Sequence, residues 1–113
     1  MTEVIHRTKH SLSPARRRLV ELMQELNFGR IEGLHIRDGE PSLVPPPSVL
    51  REVVFGKVNA PNPARGKEDF TLKEQHVELF DLFDRERSVT IESLVVQNGL
   101  PVRMTVANPA RVA

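Results

Sequence analysis

Cysteine, tryptophan and tyrosine are missing from this chain of 113 residues, and five phenylalanines are its only aromatic side chains. Disulfides, thiol nucleophiles and cysteine-ligated zinc are therefore excluded. A base-stacking platform for single-stranded nucleic acid has little to be built from. No apolar run approaches the roughly 18 residues that a membrane-spanning helix needs, and Met1 to His10 lacks the apolar stretch of a signal peptide. The expectation is a soluble, cytoplasmic protein that does not engage membranes. Gly-x-Ser-x-Gly is absent, Gly66-Lys67 lacks the rest of a phosphate-binding loop, and Gly29, Gly33 and Gly39 do not fit a dinucleotide fingerprint. Enzyme classes that depend on those elements are disfavoured. The length suits one domain with a modest core.

Charge is balanced overall, sixteen Lys and Arg against fifteen Asp and Glu, but it is not evenly spread. Residues 1–18 hold Arg7, Lys9, Arg16, Arg17 and Arg18 against Glu3, so residues 1–10 read as a flexible basic tail running into a basic helix start. Ser11 or Ser13 can cap that helix and Pro14 suits its first turn. Leu19, Leu22, Met23 and Leu26 recur at helical spacing, which predicts a helix over 14–27, with Gly29 ending it in a left-handed conformation. From Arg30 to Val44 the period shortens around Asp38-Gly39, a two-residue hairpin turn. Ile31 and Leu34 break strict alternation, and Gly33 between them marks a bulge or a close backbone approach.

Pro45 to Pro47 end the return strand, a short strand is expected near 51–57, and 59–67 reads as a loop. Thr71-Leu72-Lys73-Glu74 has a capping-box pattern and starts a second helix that runs to about Arg87. Its inner stripe is Leu72, Leu79, Phe80 and Phe83, widened by Val77 and Leu82. Val89 to Val96, the Asn98-Gly99 turn and Pro101 to Val106 repeat the hairpin, with Val102, Met104 and Val106 alternating on one side. Residues 107–113 read as a frayed end.

Shifting the chain on itself by 60 residues superposes both helices and both hairpins without a gap. Leu12/Leu72, Leu19/Leu79, Leu22/Leu82, Ile31/Ile91, Glu32/Glu92, Leu34/Leu94, Gly39/Gly99 and Pro41/Pro101 are identical pairs. The common register of helix stripe, turn dipeptide and following proline argues for duplication more strongly than the identities do. One helix and one hairpin cannot cover their own apolar face, but two copies can share a sheet. The expected fold is α+β and two-layered. Tandem α-β-β units, 11–44 and 71–106, flank a linker over 45–70 and share one antiparallel sheet of four to five strands with both helices on one face.

Simple alternation would leave part of the second sheet face apolar, through Ile31, Ile91 and Val95, whereas a bulge would turn these residues inward. An uncovered apolar face becomes an interface. The interface candidates are Ile31, His35, Ile91 and Val95. At Phe28-Gly29-Arg30-Ile31-Glu32 through Asp38-Gly39, behind a helix with leucines in its stripe, residues 15–44 resemble the uncharacterised YezD-like family of very small bacterial proteins. That resemblance implies a helix-plus-hairpin architecture and brings no catalytic or binding residues. The second copy departs from it with Ser88-Val89, as does the run from Pro45 to Pro47.

His6 and His10 have two-histidine zinc spacing without a third ligand, so neither a metal nor another cofactor is expected. Glu32 and Glu92, an acidic pair identical in both copies, could meet across a twofold, yet nothing supplies a nucleophile or metal beside them. Asn-Pro-Ala-Arg at 62–65 and 108–111, with Ser-Pro-Ala-Arg at 13–16, reads as turn chemistry. The leading expectation is a non-catalytic module that meets a second copy or a protein partner through an exposed sheet face or edge. The alternative is a duplex nucleic-acid accessory protein using Arg7, Lys9, Arg16, Arg17 and Arg18 against phosphates.

Overall fold

A computed structural model describes residues 11–56 and 73–107. The elements are α1 (Pro14–Leu26), β1 (Gly29–Arg37), β2 (Glu40–Ser42), β3 (Ser48–Arg51), α2 (Glu74–Glu86), β4 (Val89–Gln97) and β5 (Leu100–Ala107). Both helices and both long strands sit at the expected offset of 60, Pro14 against Glu74 and Gly29 against Val89. Ser13 caps α1, its Oγ accepting from the Arg16 N–H at 3.2 Å. Each hairpin turns on two residues of positive φ, Asp38 (53°) with Gly39 (79°) and Asn98 (55°) with Gly99 (72°), as a right-twisted two-residue hairpin requires.

The sheet runs β2-β1-β4-β5, with β3 also paired to β1. Antiparallel pairing of β1 with β4 forms its centre, and the register is self-symmetric. Gly29 faces Val96 and its counterpart Val89 faces Ile36; Ile31 faces Leu94 and its counterpart Ile91 faces Leu34. A pseudo-twofold axis therefore passes between the two central strands. The units also grip each other reciprocally: the Gly39 N–H donates to the Arg87 carbonyl at 2.7 Å, and the Gly99 N–H to the Asn27 carbonyl at 3.0 Å. Asn27 and Arg87 are equivalent residues at the two helix C-termini, so each hairpin turn docks on the other unit's helix end.

Ile31, Leu34 and Ile36 of β1 and Ile91, Leu94 and Val96 of β4 are buried together with Leu19, Val20, Met23 and Leu26 of α1 and Leu79, Phe80 and Phe83 of α2. Full burial of one such side chain stabilises by roughly 1.5–3 kcal/mol. Gly33, at φ 73° with open space where a side chain would be, interrupts the pairing of β1 with β4 without shifting its register and sets Ile31 and Leu34 on the same face. This corrects two interface candidates: Ile31 and Ile91 belong to the core beneath the helices, because the alternation breaks at Gly33 in β1 and between Ile91 and Ser93 in β4. His35 and Val95 stay half-buried on the opposite face.

Other boundaries also shift. Asn27, not Gly29, ends α1 at positive φ, and Gly29 opens β1. The extra strand is Ser48–Arg51, earlier than expected. The helix α2 starts at Glu74 after Lys73, and Thr71 lies outside the described residues. The register slips between Val95 and Val96 and leaves Val102 without a partner opposite it, so Val102 is exposed while Met104 and Val106 pack on the core.

Candidate functional site

Three arginines at the start of α1 form the densest basic cluster among the described residues, and local partners engage each of them. Arg16, only 13% exposed, donates from Nη2 and Nε to the Gly39 carbonyl (2.7 and 3.2 Å) and pairs through Nη2 with Asp84 at 2.5 Å. Its guanidinium also lies 3.4 Å from Glu40 and over the rings of Phe80 and Phe83. Arg17 is half-buried and donates to the Leu12 carbonyl at 3.3 Å. Arg18 pairs with Glu25 and Glu21 on its own helix. Of the cluster expected to face phosphates, Arg16 ties α1 to the hairpin turn and to α2, Arg17 holds the segment before α1, and the exposed Arg18 pairs along its own helix. Arg7 and Lys9 lie outside the described residues, as do His6 and His10.

The residue equivalent to Arg16 is His76, which the sequence places in the second helix without fixing its partner. It is buried at the start of α2, where its Nδ1 accepts from the Lys73 backbone N–H at 3.2 Å. Burial, reinforced by the neighbouring Lys73 charge, lowers its pKa from 6.5 to about 4. Its place three residues after a helix cap, in register with Arg16, was the available signal. Among the described residues no three His, Asp or Glu side chains converge as a metal site would need. Glu32 faces Ser93 in the register and pairs with Arg30 at 2.7 Å, and Glu92 is exposed. The two carboxylates therefore share no buried setting that would split their acidities.

The sheet face away from the helices is polar. Three cross-strand rows define it: Leu50-Arg30-Val95-Arg103, Ser48-Glu32-Ser93-Thr105 and Ser42-His35-Thr90-Ala107. Two depressions lie at the ends of the central strand pair, and the pseudo-twofold relates them. One, about 370 Å³, is lined by Phe28, Gly29 and Arg30 with Val95, Val96 and Gln97. The other, about 630 Å³, is lined by their counterparts Ser88, Val89 and Thr90 with His35, Ile36 and Arg37. The backbone is repeated while the chemistry is not. In the second, the His35 ring Nδ1 meets the Thr90 hydroxyl at 3.2 Å. Leu50, Arg51, Glu52 and Arg103 complete the first.

The β3 edge is the apolar part of the surface. Phe28, Val49, Leu50, Val53, Val54 and Phe55 are exposed there, Phe55 at 93%. The Glu52 N–H donates to the Phe28 carbonyl at 2.9 Å, which lays the segment after β3 beside the start of β1. Neither this edge nor the first depression was foreseen, because both depend on β3 returning to β1 across the proline run. Comparisons with family models, curated proteins and solved structures find no match to this chain.

Proposed function

We propose that this protein is a non-catalytic interaction module and that the β3 edge is the surface through which it meets another chain. The observation that carries the reading is the line of exposed apolar side chains along Phe28, Val49, Leu50 and Val53 to Phe55, beside an edge strand paired on one side only among the described residues. Such edges are sites of strand addition, and apolar side chains along them add burial to the backbone hydrogen bonds. A second copy fits the edge directly. Antiparallel pairing of β3 with itself sets Leu50 against Val49 across a twofold, the self-complementary arrangement of a symmetric dimer.

Sedimentation velocity from micromolar to millimolar protein tests this, together with photocrosslinking from a phenylalanine analogue at position 55. Concentration-dependent dimers that crosslink from position 55 and dissociate in a Leu50→Lys/Phe55→Ser variant are expected. A monomer at every concentration with no crosslinked product would overturn the reading, and a crosslink to a different protein would replace the second copy. The nucleic-acid alternative through Arg7, Lys9, Arg16, Arg17 and Arg18 draws least on Arg16, which is held within the fold, while Arg18 stays half exposed beside Glu21 and Glu25.

A further inference from the structure

The duplicated fold contains its own control for the smaller depression on the bare sheet face. Arg30, Arg51 and Arg103 line it with Glu52, three positive charges against one negative. Its pseudo-equivalent carries Arg37 and Asp38, one of each sign. The same backbone frame thus holds a formal +2 at one end of the sheet and zero at the other. Arg30 is partly neutralised by Glu32, whereas the Arg51 and Arg103 side chains form no ion pair with a described residue.

Arg30 and Arg103 stand in one cross-strand row on either side of Val95. Strands lie about 4.8 Å apart, so their Cα atoms are about 10 Å apart, close enough for two long side chains to reach one group above Val95. Phe28, Leu50 and Val95 supply apolar surface next to the guanidinium groups. The volume of about 370 Å³ falls in the range of small-molecule sites.

We propose that this depression binds a small organic oxyanion, a carboxylate or phosphate ester with an apolar body. The oxyanion takes hydrogen bonds from Arg30 and Arg103, the pair that shares a row across Val95, with the Arg51 charge at the rim, and the apolar body rests on Phe28, Leu50 and Val95. The site shares Phe28 and Leu50 with the β3 edge but takes its charge from the sheet face, so titration at a protein concentration at which the chain sediments as a monomer separates the two readings.

Titrations of the full chain with phenyl phosphate, benzoate and benzylamine, followed through backbone amide NMR shifts, test the proposal. The two anions are expected to give saturable shifts at Phe28, Leu50, Val95 and Gln97, with none at His35 and Thr90 and none from benzylamine. The tighter of the two identifies the head group as phosphate or carboxylate. Arg30→Glu and Arg103→Glu should each weaken binding about tenfold or more, the loss of one charge-assisted contact, while Arg37→Glu in the twin depression leaves it unchanged. These substitutions fall on exposed side chains, and the amide spectrum itself reports whether the fold persists. Absence of saturable shifts in the millimolar range, an equal response to benzylamine, equal shifts at His35 and Thr90, or indifference to both arginine variants would each overturn it.

Discussion

Gly29 illustrates how one position can be read correctly as special and for the wrong reason. Its glycine does not end a helix; a Cβ there would lie 2.1 Å from the Leu50 carbonyl, because β3 passes directly over it. The equivalent Val89 carries a side chain and pairs with Ile36. Gly29→Ala is expected to force β3 off β1 and to destabilise by about 2 kcal/mol or more, measurable by chemical denaturation. Arg16 was recognised as cationic, but its partners come from the β1–β2 turn, β2 and α2 and are invisible in a local pattern. Arg16→Ala should cost about 2–3 kcal/mol, since it removes charge-assisted hydrogen bonds at a largely buried site. In a double-mutant cycle with Asp84→Ala the two losses should be less than additive.

His76 gives the fold a pH dependence. Its folded pKa of about 4 lies below the ordinary 6.5, so the unfolded chain binds the extra proton between those values. Stability is therefore complete above about pH 6.5 and falls as acid is added, by roughly 3 kcal/mol once pH passes below the folded value. The difference in denaturation midpoint between the wild type and His76→Gln, followed from pH 7.5 to 4, should shrink with falling pH. A constant difference would rule out this titration.

At the scale of elements, periodicity was sufficient for both helices and both hairpins, because each buries one face whatever packs on it. The element ends were not legible. Both helices end in a tight γ-turn, with the Phe28 N–H donating to the Leu26 carbonyl and the Ser88 N–H to the Glu86 carbonyl, each at 2.7 Å. The central residues Asn27 (φ 61°, ψ −57°) and Arg87 (φ 64°, ψ −54°) occupy a strained region that neither side chain favours. The carbonyls so turned outward accept from the opposite unit's hairpin, which is why the strain is tolerated twice. Arg87→Gly relieves it locally and should raise stability by about 1 kcal/mol, read as an upward shift in denaturation midpoint. The short strand expected near 51–57 was misplaced for the opposite reason: the four residues of β3 are all exposed and have no period, and only pairing with β1 sets its bounds.

For the whole molecule, the duplication is the feature that organises the rest. If the chain is divided within residues 57–72, each half alone should fail to give a cooperatively folded monomer, since its long strand loses its central partner and its hairpin loses the helix end it docks on. Mixing the halves should restore the native circular dichroism and a single complex on gel filtration. Independent folding of either half as a stable monomer would contradict the reciprocal docking.

The sequence by itself determined the fold class, the two repeated units and most of the core, because these follow from apolar spacing and turn residues that act over a few positions. Only the tertiary structure decided what the surface offers. It turned Ile31 and Ile91 inward, spent Arg16 on the fold, brought β3 back to leave an apolar edge, and gave two equivalent depressions unequal charge. Each of those outcomes depends on which residues from distant parts of the chain share a strand row, and cross-strand register is set by bulges and pairing rather than by any local pattern.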